Sequence, residues 1–215
     1  VERGAISTQV QAAGTVVPKT ERVLISPVTS SIHEVYLPLG SSVKKGDPIL
    51  KVDSAQIELE IGRLSDELLL KDLEIKGLLQ QQQKQLRELQ NQQELAGIDL
   101  QNQKVIVERY DTLYQSNIVS KFDYETAGLN ARKTELQLQQ LAQQITDTLE
   151  SDSNQLEQRK VEKQILLQQL MEQEKLQADT TIRASADGII TVLMNQLGQN
   201  VVAGSELARI SDLSS

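Results

Sequence analysis

Residues 109–120 read RYDTLYQSNIVS. Within it, Ser116-Asn117 is a turn signal inside a region otherwise patterned for helix. Just after it, Ser120-Lys121-Phe122-Asp123 resembles a capping box, with serine at the N-cap and an acidic residue at N3. One helix is therefore expected to end here, and a second to begin at Ser120.

On the N-terminal side, Ile61, Leu68, Ile75, Gln82, Leu89, Ala96, Gln103 and Tyr110 recur every seven residues. Leu79, Leu86, Gln93, Leu100, Val107 and Tyr114 add a second track at 3-4 spacing. Two such tracks make a seam that faces a partner helix. On the return side the same spacing runs through Ala127, Ala131, Thr134, Leu138, Leu141, Ile145 and Thr148. It weakens across residues 150–163 and resumes with Leu166 and Leu170. Folding the region antiparallel about residue 116 or 117 sets residues 80–83 (QQQQ) level with 150–154. Both arms turn polar at that height, which predicts a loosely packed, bendable zone. Each arm holds about 60 residues, so the hairpin is expected to reach roughly 90 Å. Gly62, Gly77, Gly97 and Gly128 lower helix propensity along the arms and favour curvature.

Outside the arms lie two stretches that resemble each other. Residues 23–53 read VLISPVTSSIHEVYLPLGSSVKKGDPILKVD, and residues 182–212 read IRASADGIITVLMNQLGQNVVAGSELARISD. Ile25-Ser26-Pro27 answers Ile182-Arg183-Ala184, and Ile32 and Val35 answer Ile189 and Val192. After a slip of one residue, Gly40, Val43 and Gly46 answer Gly198, Val201 and Gly204, and Ile49 and Val52 answer Leu207 and Ile210. Each stretch reads as short strands joined by tight turns and is too small to bury its apolar face alone. Together they are expected to close into a small two-sheet sandwich. Residues 5–17 (AISTQVQAAGTVV) add one or two further strands. The fold class is α+β: a helical hairpin inserted into a split β-sandwich.

Composition narrows the function. Aromatics make up only 2% of the 215 residues, so most of the chain buries a thin seam rather than a thick core. The net charge is −8, with no basic run of the kind phosphate binding requires, so nucleic acid is not an expected partner. There is no cysteine, which excludes disulfides, thiol catalysis and thiolate metal sites. The lone histidine, His33, has no convergent partners in the sequence, and the carboxylates are spread along helix faces. No enzymatic activity, metal or cofactor is expected. No apolar run approaches the roughly 20 residues that span a bilayer. The chain opens without Met or a signal-like segment and is read as a piece of a longer protein whose anchor lies outside it.

Arg109, Leu113 and Ser120 fit R-x3-L-x6-S. That pattern resembles the hairpin-tip motif of periplasmic adaptor proteins, the membrane fusion proteins of the HlyD/MacA/AcrA type, with MacA-like adaptors most similar. The FDYETA that follows at 122–127 also looks like that family, and the flanking halves resemble its split lipoyl domain, with V-K-K-G-D as a turn. The resemblance implies these domains: strands of a truncated β-barrel at 1–22, a first lipoyl half at 23–53, a hairpin at 54–178, a second half at 179–212, and a linker stump at 213–215. The hairpin divides into arms at 54–115 and 120–178 around a tip at 116–119. It further implies a non-catalytic adaptor in the periplasm, anchored to the inner membrane, that bridges a transporter to a TolC-like outer-membrane channel. Copies of the adaptor, usually six, form a ring. Arg109, Leu113 and Ser120 would meet the channel. Arg109 offers five donors to carbonyls or carboxylates, Leu113 an apolar knob, and Ser120 both a cap and a hydroxyl.

In MacA-like adaptors a glutamine in the second lipoyl half rings the conduit. The matching loop here is Asn195-Gln196-Leu197-Gly198-Gln199, so Gln196 or Gln199 would take that place. An ABC transporter fits the tip motif and arm length. Resistance-nodulation-division and major-facilitator pumps and type I secretion stay open, as does the cargo. Two rival readings fit the residues less well. A lipoyl or biotinyl carrier needs a lysine on the hairpin between the halves, but the helical insertion occupies that place, and Lys44 and Lys45 belong to another turn. A coiled-coil tether without an export role has no use for a motif-bearing tip.

Overall fold

The computed structural model describes residues 20–212. These divide into two compact units, one of residues 20–62 with 171–212 and one of residues 63–170.

The first unit contains eight strands: β1 Thr20–Ile25, β2 Ser30–Val35, β3 Ser42–Val43, β4 Pro48–Val52, β5 Thr181–Arg183, β6 Gly188–Leu193, β7 Asn200–Val201 and β8 Glu206–Asp212. They form two four-stranded sheets in the orders β1-β8-β6-β3 and β5-β4-β2-β7, with all pairings antiparallel. Each sheet takes two strands from each half of the sequence. Replacing every strand of one sheet by its counterpart in the other half reproduces the second sheet, so the sandwich has an internal two-fold relation. Of the expected strands at 1–22, residues 1–19 lie outside the described residues, and Thr20, Glu21 and Arg22 belong to β1, which pairs with β8.

The repeat keeps a single register. Gly40 N–H donates to Ile190 O at 2.9 Å and Gly198 N–H donates to Ile32 O at 2.8 Å. Gly46 N–H donates to Ala184 O and Gly204 N–H donates to Ser26 O, both at 2.8 Å. Counterparts are therefore 158 positions apart throughout, as in Gly40 and Gly198 or Ser26 and Ala184. This corrects the slipped alignment: Ile32 corresponds to Ile190 rather than Ile189, and Val35 to Leu193 rather than Val192. The two isoleucines at 189 and 190 cannot be told apart by hydropathy, but only Ile190 points inward, and it is 1% exposed like Ile32. The glycines that make the turns have φ of +85° at Gly40 and +76° at Gly198, a conformation that costs glycine little and other residues much.

The core follows the same relation. One cluster gathers Ile32, Leu50, Val52, Ile182, Val201 and Leu207, and the other Val43, Ile49, Ala184, Ile190, Ala208 and Ile210. Every cluster holds residues from both halves, so neither half has a core without the other.

Helix α1 runs Ala55–Gln115 and helix α2 Lys121–Asp179. At the start of α1, Ser54 Oγ donates to Glu58 Oε1 at 2.6 Å, and Ala55 N–H donates to Asp53 Oδ1. The second unit is the part of this pair between 63 and 170. Here the helices are antiparallel: Gln82 Nε2 donates to Asp152 O at 3.1 Å, Lys71 Nζ lies 3.1 Å from Glu162 Oε2, and Lys163 Nζ lies 2.6 Å from Asp72 Oδ1. Those pairs centre the fold at residues 116–118, in keeping with the turn read from Ser116-Asn117. Leu64, Leu68, Leu89, Leu100, Ala127 and Thr134 are the buried residues of the seam. Two of the expected seam residues are exposed, Leu79 and Tyr114: Leu78 takes the inward place of the first, while the second still meets the other helix by stacking on Tyr124. The fold class read from the sequence, a helical hairpin between two halves of a β-sandwich, is the one observed.

Candidate functional site: the hairpin tip

Helix α1 ends because Asn117 adopts a left-handed conformation, φ 57°, which asparagine tolerates better than most side chains. Ile118 N–H then donates to Leu113 O and Asn117 N–H to Tyr114 O, both at 2.9 Å. That pair of bonds is a Schellman motif, which satisfies carbonyls that a helix end otherwise leaves open. Helix α2 begins with the expected capping box. Asp123 N–H donates to Ser120 Oγ at 3.2 Å, Ser120 N–H to Asp123 Oδ2 at 3.4 Å, and the Ser120 hydroxyl to the same carboxylate oxygen at 2.6 Å. Across the turn the rings of Tyr114 and Tyr124 stack, 5.3 Å between centroids and 6° between planes. The tip is thus fixed by two caps and one aromatic pair.

The motif residues occupy distinct environments on this frame. Arg109 is exposed, and among the described residues its guanidinium has no ion pair or side-chain hydrogen bond. Three other charged residues of the tip stretch are engaged: Asp111 accepts from Gln115 Nε2 at 2.8 Å, Lys121 lies 3.4 Å from Glu125, and Asp123 holds the cap. Leu113 is half-buried and lends its carbonyl to the Schellman turn. Ser120 has its hydroxyl proton committed to Asp123.

Two residues not singled out in the sequence stand beside them. Ile118 is 69% exposed and Phe122, the only phenylalanine, is 76% exposed. Phe122 forms one wall of a shallow cavity of about 330 Å³ lined also by Ile106, Tyr110 and Ala127. The sequence carried a signal for Ile118 alone, which lies in the turn itself; the position of Phe122, two residues past the cap, allows an inward ring as well as an outward one. Among the described residues, the tip stretch therefore offers both an unpaired cation, Arg109, and exposed apolar side chains, Ile118 and Phe122, groups suited to carbonyl or carboxylate oxygens and to apolar surface respectively.

Gln196 and Gln199 lie far from this stretch in sequence, in the β6–β7 turn of the first unit. The Gln196 side chain is exposed beside exposed Leu197, whereas Gln199 is half-buried and its carbonyl accepts Ile32 N–H at 3.0 Å. Among the described residues no group of three or more His, Asp or Glu side chains could hold a metal ion, and no helix is long and apolar enough to cross a membrane.

No protein-family model matches the sequence, and no curated protein matches it either. Solved structures do match. The periplasmic adaptor protein EmrA is 19% identical, with 91% of this chain and 73% of that one covered, at a TM-score of 0.51. The soluble domain of LipC, a membrane fusion protein of a type I secretion system, is 15% identical over 89% of this chain and 99% of that one, TM-score 0.47. MacA from Actinobacillus actinomycetemcomitans is 20% identical, TM-score 0.37, and the chain spans 50% of its length. The likeness to EmrA is one of fold.

Proposed function

We propose that this chain is the adaptor subunit of a tripartite efflux or secretion system. Its hairpin tip docks on a TolC-like outer-membrane channel, and its transporter partner is an inner-membrane pump, of the ABC class by the tip motif. It works in the periplasm, anchored to the inner membrane, and catalyses nothing. The observation that carries this reading is the tip: R-x3-L-x6-S lies on a doubly capped turn, with Arg109 unpaired among the described residues and Ile118 and Phe122 exposed in the same stretch. The fold shared with EmrA supports it.

Self-association is part of the proposal. The faces of the two arms turned away from the seam carry apolar residues at matching heights. In the register set by Gln82 and Asp152, Ile98 is level with Leu136 and Val105 with Leu129. Leu73 is likewise level with Val161, and all six are exposed. Opposite edges that match in height suit copies packed side by side without axial stagger, in a closed ring. For the conduit-lining glutamine, Gln196 is the better candidate, because its side chain is free at the turn.

The test is capture of a purified TolC-type channel by the immobilised chain. Arg109→Asp is expected to abolish capture while leaving the helical circular-dichroism signal unchanged. Capture that survives the charge reversal sinks the tip assignment.

A further inference from the structure

Within the second unit, both helices change phase at one height. The inward-facing positions of α1 alternate by three and four residues through 68, 71, 75 and 78, then take two steps of four, to 82 and 86, before resuming at 89 and 93. Those of α2 alternate through 138, 141, 145 and 148, then also take two steps of four, to 152 and 156. Gln82 and Asp152 are the centres of the two irregular steps, and they are joined by the Gln82 Nε2–Asp152 O hydrogen bond at 3.1 Å. Such a stutter locally unwinds the supercoil, because four-residue steps run ahead of the seven-residue repeat.

Packing weakens where the phase shifts. No apolar side chain of α1 between Leu68 and Leu89 is buried. Instead a cavity of about 330 Å³ opens there, lined by Leu78, Gln82, Thr148 and Asp152 among others. A polar pair at seam positions costs stability relative to an apolar pair. Gly77 stands at the edge of the same turn with open space around it, where a glycine lowers helix propensity. Phase shift, cavity, polar layer and glycine coincide, while ion pairs brace one side, at Lys71–Glu162 and Lys163–Asp72, and buried leucines brace the other, at Leu89 and Leu100.

We infer that residues 78–86 and 148–156 form a joint at which the hairpin bends, with stiffer segments on either side. The bend is a property of the hairpin alone. Its use rests on the adaptor reading: the tip segment follows a moving partner while the turns below the joint keep their packing.

The chain has no cysteine, so spin labels can be placed cleanly at Asp66→Cys and Asp99→Cys, which straddle the joint on one helix. A straight helix would separate the two backbone positions by about 50 Å. Electron–electron dipolar spectroscopy is expected to give a broad distribution with a shorter component. In the background of Gln82→Leu with Asp152→Leu it should narrow to the straight distance. Equal widths in the two backgrounds overturn the joint. Should the filled variant not fold, amide exchange in the unsubstituted chain decides. Amides at 78–86 and 148–156 should exchange about tenfold faster than those at 89–100. Uniform protection overturns the proposal. Both readouts use the isolated chain, so their failure is separate from a failure of channel capture.

Discussion

The rings of Tyr114 and Tyr124 stack across the turn at 5.3 Å, one from the last turn of α1 and the other from the first turn of α2. Each ring is held close to a cap: Tyr114 O accepts Asn117 N–H, and Tyr124 N–H donates to Ser120 O. Removing either ring should therefore loosen the whole turn. A double-mutant cycle of Tyr114→Ala and Tyr124→Ala in thermal unfolding is expected to show a coupling of about 1 kcal/mol. Additive losses would mean that the stack contributes only its buried area.

Gly188 opens β6 against β8, and a Cβ there would lie 2.7 Å from both Ile210 Cγ2 and Ser211 O. Backbone cannot yield as a flexible side-chain end can. Gly188→Ala should thus destabilise the sandwich by about 1–3 kcal/mol in chemical denaturation. Gly97→Ala meets open space on a helix and is expected to do the reverse, stabilising by about 1 kcal/mol.

How much of the fold is legible in the sequence depends on the residue. The hairpin is legible because a seven-residue apolar repeat sustained over so long a stretch suits paired helices and little else, and the turn because Ser116-Asn117 precedes a capping box. The choice between Leu78 and Leu79 is not, because a stutter exchanges neighbours without altering composition. The repeat register fails at Ile189 and Ile190 for a similar reason: only strand pairing decides which of two identical side chains points inward. At the tip, the cap at Ser120 is legible as local chemistry. The exposure of Phe122 is not, since its sequence position allows an inward ring as well as an outward one.

Acid should loosen the hairpin around Lys71 and Glu162 before anything else there. Glu162 is held below the ordinary carboxylate range by hydrogen bonds from Arg159 and then Lys71, while Lys71 is raised by Glu74 and then Glu162. A carboxylate depressed in the folded state stabilises fully above its unfolded value, about 4.3, and loses that contribution as pH falls through the lower folded value. A raised lysine does the opposite, contributing below about 10.4 and losing it as pH climbs through the higher folded value. The melting midpoint followed by circular dichroism is expected to be flat between these limits and to fall below about pH 4. Glu162→Gln should flatten the acid limb, and an unchanged limb would assign it to other carboxylates.

Ser120 poses the sharpest question at the tip, because its cap and its place in the motif make different demands. The cap needs an oxygen to accept Asp123 N–H and a hydroxyl to reach Asp123 Oδ2. Threonine supplies both and alanine neither. Ser120→Ala should therefore cost about 1 kcal/mol of stability, and Ser120→Thr a few tenths at most. The hydroxyl proton is already engaged at 2.6 Å, so only acceptor capacity is left for a partner. Channel capture is accordingly expected to follow stability across the two variants, with threonine behaving as serine. If Ser120→Thr keeps the melting temperature but loses capture, the extra methyl collides with a partner, and the serine is then part of the docking surface in its own right.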